Sequence, residues 1–351
     1  MDQSTDLAPA GPKSPSNREG FAALGAHRAW VGVDRLSVSF PVDQVKRDLD
    51  QWDEVRTQNR ENDRRETWSS RVQLAPGVHG FVSCTEVAES KESRWWGKVE
   101  CNPSRVVDPE GHGLAAVDDL DTVLYAMEVA AWTCMEPSIE QAEWRVKRVD
   151  VARDFVGIED AGRLIRGLVS VHRPHSRQNM VYADPKRNQA QTLMVGNATG
   201  KTRLYDKWAE TDGGVSEGTV RWETEARRDW LHRLAGIERV RDLTEENVGQ
   251  LARDRWEWSA MGTEVASSVG RLVRVVQSSD DLSEREAAFF LGWLMCEAAG
   301  QPMRSLSSHT VSKYRRMQRQ LGIAAPSDFE GMVEVLTRLD WDSGTEVLRV
   351  A

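Results

Sequence analysis

Tyr205, Lys207, Glu223 and Glu225 fall within one stretch, "TGKTRLYDKWAETDGGVSEGTVRWETEARRDW" (199–230). A glycine-rich tip, "TDGGVSEG", separates two runs that read as strands. Strand side chains alternate between faces. Arg203, Tyr205 and Lys207 are therefore expected together on one limb, and Arg221, Glu223, Glu225 and Arg227 together on the other. A phenol has a reference pKa of about 10 and is a weak nucleophile unaided. A metal ion, or a cation such as Lys207, favours its phenolate. Attack of that oxygen on a phosphodiester conserves the bond as a phosphotyrosine link and frees a hydroxyl on the other side.

Carboxylates recur on other strand-like runs. "KRVDVARDF" places Asp150 and Asp154 on one face, with Val149, Val151 and Phe155 on the other. "GKVECNPS" offers Glu100 between Val99 and Cys101. Acids from several strands, each backed by apolar neighbours, can converge on a hard divalent cation, Mg²⁺ or Mn²⁺. The same pattern also describes a polar sheet face of cross-strand ion pairs to Arg148, Arg221 and Arg227.

Two other motifs do not carry chemistry. "GNATGKT" (196–202) has three residues between Gly196 and Gly200, where a phosphate-binding loop has four, and strands flank it on both sides. It reads as a hairpin turn. "HRPH" (172–175) lacks the spacing of a His-apolar-His metal pair. Cys84, Cys101, Cys134 and Cys296 are scattered, without a C-x-x-C pair, which fits a reducing cytoplasm. No apolar run is long enough to span a membrane. The net charge of −9 argues against a uniformly basic surface, but leaves room for a local basic site.

The elements that must position these residues follow from periodicity. "AWVGVDRLSVSF" (29–40) reads as a strand. "VDQVKRDLDQWDEVR" (42–56) reads as a helix, with Val45, Leu49, Trp52 and Val55 on one stripe. Three short alternating runs follow between residues 69 and 103. Helix 118–135, strand 143–157 and helix 159–172 come next, then four strands ending in "TVRWETEAR". The order predicts an α+β fold: one antiparallel sheet with helices on one side, built of two similar strand/helix units.

Residues 1–26 are polar and rich in Pro, Ser and Gly and read as a disordered lead-in. Residues 27–232 form the expected sheet domain. Residues 233–351 form an expected helical domain, because strand alternation stops there. Between Ala298 and Ser327 lie five basic residues and no acids: Arg304, Lys313, Arg315, Arg316 and Arg319. An apolar helix, a turn with Gly, and a basic helix outline a helix-turn-helix-like DNA-binding element.

"AWVGVDRLSVSF", "VKRVDVARDF", "QTLMVG", "TRLYDKW" and "VRWETEAR", in that order, resemble the replication initiation factor family of rolling-circle plasmids and phages. "VECNPSRVV" and "SSHTVSKYRR" also resemble the phage gene II/X type replication proteins. The resemblance covers roughly 27–232 and more weakly the rest. It implies a metal-dependent nickase acting on a replication origin, single-stranded at the nick and duplex for recognition. Tyr205 takes the nucleophile's place and Lys207 the motif lysine's. Asp150 and Glu223 take the metal ligands' places, joined by Glu100 or Glu225, around Mg²⁺ or Mn²⁺. Tyr182 is a second nucleophile candidate. A host helicase and polymerase are the implied partners, and a homodimer is compatible. Two other classes stay open: a non-catalytic sequence-specific DNA-binding regulator, and a relaxase-like enzyme of conjugative transfer.

Overall fold

The computed structural model describes residues 31–47, 52–60, 63–89, 92–169, 171, 178–184, 189–197, 200–265, 269–279, 282–298, 301, 303, 305–324, 335–341 and 344–349. The lead-in 1–26 and the "HRPH" segment lie outside these residues.

Strands β1 (Val31–Val45), β2 (Glu54–Arg60), β3 (Asp63–Ala75), β4 (Val78–Glu89) and β5 (Glu92–Cys101) come first. The short helix α1 (Pro103–Val107) and helix α2 (Leu120–Cys134) follow. Then come β6 (Met135–Pro137), β7 (Arg145–Phe155), α3 (Ala161–Val169), β8 (Gln178–Asp184), β9 (Gln189–Asn197) and β10 (Gly200–Asp206). One turn of helix, α4 (Lys207–Glu210), leads across the tip to β11 (Val220–Arg227). The sheet runs β2-β3-β4-β5-β1-β7-β11-β10-β9-β8, with β6 paired to β1. Every pairing in it is antiparallel.

The order is symmetrical about the β1–β7 pair. A meander runs outward from β5 to β2 on one side and from β11 to β8 on the other. The two expected units are therefore visible in the topology. They differ in helix placement: α3 follows β7 directly, whereas α2 follows β5. The helix expected over 42–56 is not formed. β1 continues to Val45 because β6 pairs with its end, and 54–60 is already β2. Val45 and Trp52 are buried as expected, but from a strand end and a connection. The "GNATGKT" segment is the β9–β10 hairpin, with Asn197 opposite Gly200.

One sheet face carries the core. Leu36, Val38, Val99, Val149, Val151, Leu204 and Trp222 are all fully buried. Helix α2 covers it with Val123, Met127 and Ala131, and α3 with Leu164, Ile165 and Leu168, at helical spacing. Helices α5 (Arg228–Ala235) and α6 (Glu245–Ser259) extend the same apolar cluster through Leu231, Leu251 and Trp256 to Met261. The boundary expected at 233 therefore falls inside this core.

Beyond it lie β12 (Glu264–Val265), α7 (Val269–Gln277), α8 (Glu284–Ala298), α9 (Ser308–Leu321), β13 (Ile323–Ala324), β14 (Val335–Asp340) and β15 (Gly344–Arg349). Helices α7 to α9 build a second core around Leu272, Phe290, Trp293 and Tyr314. The region is not wholly helical as expected, since β12 to β15 make a four-stranded sheet. Trp341, after β14, packs on Trp222 and Trp256 at 5.4 and 5.3 Å between ring centroids, tying this hairpin to the first core. Among the described residues no helix is long and apolar enough to cross a membrane.

Candidate active site

Register builds the polar face. Residues directly opposite in an antiparallel pair share a face. Arg35 faces Asp150, Asp150 faces Glu225, Glu223 faces Arg203, and Arg221 faces both Asp154 and Tyr205. Acids and bases from β1, β7, β11 and β10 thus line up opposite the core.

At one end of this face a cleft of about 290 Å³ is lined by Asp34, His112, Arg203, Tyr205, Lys207 and Glu223, among others. The Tyr205 hydroxyl donates to Glu223 Oε2 at 3.3 Å. Glu223 also accepts from the Arg203 guanidinium. Lys207 was expected on the strand beside Tyr205. The chain instead leaves β10 there, with Asp206 capping α4 through the Ala209 amide. Lys207 still reaches the site: its ammonium lies 5.7 Å from the Tyr205 ring centroid and donates to Glu210 at 2.7 Å.

The electrostatics oppose a resting phenolate. Burial raises the Tyr205 pKa, and the neighbouring Glu223 carboxylate adds to this, against an opposing effect from Arg221. The cation acting on the phenol is thus Arg221, which Asp154 holds by two bonds of 2.6 and 2.7 Å and the His112 carbonyl by one of 2.8 Å. Glu223 is itself raised, first by burial, then by Asp34, although Arg203 works the other way. In the free protein Tyr205 is a protonated phenol resting on a carboxylate.

The four carboxylates expected at a metal do not form one group. Only Glu223 lines the cleft. Asp150 is held by Arg148 Nε and Nη2 at 2.7 and 2.5 Å. Glu225 accepts from the same Arg148 at 3.0 Å and from Arg227. Glu100 sits 2.8 Å from Lys98 and 3.5 Å from Arg35. Ion pairing on a polar sheet face, the alternative left open by the sequence, accounts for these three: Arg148–Glu225 and Arg35–Glu100 cross strands, whereas Arg148–Asp150, Lys98–Glu100 and Arg227–Glu225 lie two residues apart on one strand. Among the described residues no group of three or more His, Cys, Asp or Glu side chains is placed to hold a metal ion.

Asp150 is 1% exposed, and burial pushes its pKa up to about 6 despite Arg148. An acid whose folded pKa lies above its unfolded value, about 3.9, stabilises the fold below that value and loses the contribution as pH rises through the folded one. The stability advantage of the wild type over Asp150→Asn is expected to shrink by about 3 kcal/mol in all between about pH 3 and pH 7, about 2 kcal/mol of it between about pH 4 and pH 6. Thermal melts of both proteins across that window check it; a constant difference refutes it.

The structure adds residues that the sequence reading did not assign. Asp34 enters the cleft at a bulge in β1, where pairing shifts from Val33 opposite Val151 to Arg35 opposite Asp150. Its only sequence signal is its place in "VGVD". His112 lies on the loop after α1, where an added Cβ on Gly214 of the hairpin tip would come within 2.5 Å of its ring. The two loops meet over the cleft. Of the basic residues expected to bind DNA, Arg304 lies outside the described residues. Arg316 and Arg319 are exposed on α9, Arg315 is half-buried, and Lys313 is 2.6 Å from Glu286 of α8. Residues 299–307 separate α8 from α9, a longer connection than the three- or four-residue turn of a helix-turn-helix.

No family model matches the chain, and no curated protein matches it. Two chains of solved structures do match. One is a rolling circle replication initiator protein from Geobacillus stearothermophilus, similar over 80% of this chain and 100% of that one, at 12% identity and a TM-score of 0.32.

Proposed function

We propose that the protein nicks one DNA strand at a replication origin, with Tyr205 as nucleophile. The observation that carries this reading is the Tyr205 phenol hydrogen-bonded to the buried Glu223 carboxylate in a cleft also lined by Arg203, Arg221 and Lys207. The ordered motifs that resemble rolling-circle initiators support it. In the proposed reaction the phenolic oxygen bonds to phosphorus and its proton passes to Glu223. The bond to the 3′ oxygen breaks, leaving a 5′-phosphotyrosine and, after protonation, a 3′ hydroxyl that primes a polymerase. Arg203, whose side chain is 45% exposed, is free to move from Glu223 towards the incoming phosphate.

Mg²⁺ or Mn²⁺ fits Asp34 and Glu223, because such ions bind through one or two carboxylates plus substrate phosphate. A cation here offsets the repulsion that Asp34 exerts on Glu223. When bound, the ion polarises the scissile phosphate. Asp150, Glu225 and Glu100 act from the side, and the Arg148–Glu225 pair ties β7 to β11, the strand that carries Glu223. Incubation with a library of labelled single strands and Mn²⁺, followed by mass spectrometry, is expected to detect a nucleotide–tyrosine adduct. A DNA-binding regulator without catalysis yields none.

Origin recognition is assigned to α9. Arg316→Ala with Arg319→Ala is expected to weaken duplex binding and reduce the log–log salt slope by about 0.9 per lost phosphate contact. Lys313→Ala should do less, since its charge is already engaged by Glu286. A double variant with wild-type affinity at every salt concentration excludes α9 as the reader.

A further inference from the structure

A second cavity, of about 300 Å³, lies at the start of β7 against the end of α5, lined by Arg145, Lys147, His232, Arg233 and Glu238 over Ile237. In a chain of net charge −9 the described residues that line it include three permanent cations and one carboxylate. Neighbouring acids are committed elsewhere. Glu143 pairs with Arg239 and Arg241, and Asp242 accepts from the backbone amides of Glu238 and Arg239. Among the described residues neither Arg145 nor Arg233 pairs with a carboxylate, and Arg145 instead lies 5.4 Å over the Trp96 ring.

The position of this cavity relative to the cleft is fixed by register. Arg221 opposite Asp154 stands at the cleft end of the β7–β11 pair, and Arg227 opposite Arg148 at the other. The four steps from Glu223 to Arg227 span about 13 Å of strand. Helix α5 then carries the chain to Arg233. Arg35, Arg148 and Arg227 lie along the polar face between the two cavities, where Glu100, Asp150 and Glu225 pair with them and leave the strip close to neutral. A single strand held by one phosphate in the cleft can run along this strip without repulsion to a second phosphate grip at the cavity.

We infer that the Arg145–Arg233 cavity is a second phosphate site, gripping the same DNA strand several nucleotides from the bond attacked by Tyr205. The inference rests on the nicking function only for the identity of the strand. Its chemistry is that of phosphate recognition, and it is tested without any cleavage. In the full-length protein, Arg145→Gln with Arg233→Gln is compared with the wild type by fluorescence anisotropy. The probes are a short single strand that fills only the cleft and a long one that reaches the cavity.

The double variant is expected to lose about tenfold in affinity for the long strand at low salt, with a log–log slope smaller by about 0.7 for each lost contact. It should bind the short strand as the wild type does. Arg145→Lys with Arg233→Lys should restore long-strand binding, which a folding defect would not allow. Equal losses for both strand lengths, or no loss, overturn the inference. Stoichiometric binding of inorganic pyrophosphate at the cavity, undisturbed by the long strand, also overturns it and makes the site one for a free anion. If the wild type binds long strands through these residues yet forms no adduct with them, the nicking function fails while the phosphate site stands.

Discussion

Tyr205→Phe protein forms no covalent complex with DNA, and this is the largest single effect expected. The substitution keeps the ring over which Lys207 sits and removes one oxygen. Among the described residues that oxygen's hydrogen-bond partner is Glu223 at 3.3 Å, a long bond, and Glu223 keeps Arg203 after the change. Stability should therefore change by no more than about 1 kcal/mol, the worth of a typical hydrogen bond. Duplex binding should not change, because the basic helix α9 is untouched. The control is Tyr182→Phe. Tyr182 and Tyr205 stand opposite the same residue, Thr192, on the two sides of β9, about two strand spacings or 10 Å apart. The control protein should form the adduct at the wild-type rate. Adduct formation by Tyr205→Phe removes Tyr205 as the nucleophile, and a peptide map carrying the nucleotide on Tyr182 transfers the role one hairpin over.

The strands around the site were legible in the sequence because their two faces differ sharply. In "KRVDVARDF" the alternation of charged and branched apolar residues fixes which side is core: Val149, Val151 and Phe155 are buried on that side, and Arg153 is the exception, buried among them over the Phe155 and Trp341 rings. Asp34 was illegible because a bulge breaks that alternation, and a bulge is visible only once the partner strand is in place. Lys207 was misplaced for a related reason: the chain leaves β10 at an Asp206 cap, and the distance-two rule no longer applies. The 42–56 segment carries apolar residues at spacings that suit a helix, yet pairing with β6 holds its first part extended. The β14–β15 hairpin has little apolar pattern of its own. It is held by Trp341 against Trp222 and Trp256, more than 80 residues away in sequence at the nearer of the two. The metal expectation took Asp150 and Glu223 as ligands, joined by Glu100 or Glu225. The structure divides them by the guanidinium each one meets, and no local pattern reveals that Arg148 reaches both Asp150 and Glu225.

Glu223→Gln is the second large effect. The amide has the shape of the carboxylate; its oxygen can accept from Arg203 while its NH2 donates to the Tyr205 oxygen, so the fold and the binding of single strands should persist. What it lacks is the ability to take the phenolic proton and to share a cation with Asp34. General-base assistance is worth about 10²- to 10⁴-fold, so nicking should fall at least about a hundredfold at saturating Mn²⁺. The pH profile separates this role from a merely structural one. Glu223 acts as a carboxylate, and burial together with Asp34 raises its pKa above the usual range. The wild-type rate should therefore climb with pH through the Glu223 pKa, and the Gln variant should lack this limb. Asp34→Asn removes the repulsion that helps raise Glu223, so its limb should move to lower pH. The same variant loses a ligand, so it should need more Mn²⁺ for half-maximal rate. The two shifts have opposite consequences: at limiting metal Asp34→Asn is slower, while at saturating metal and low pH it loses less than the ordinary wild-type profile predicts. Nicking by Glu223→Gln at the wild-type rate in the presence of a chelator removes both the base and the metal from the mechanism.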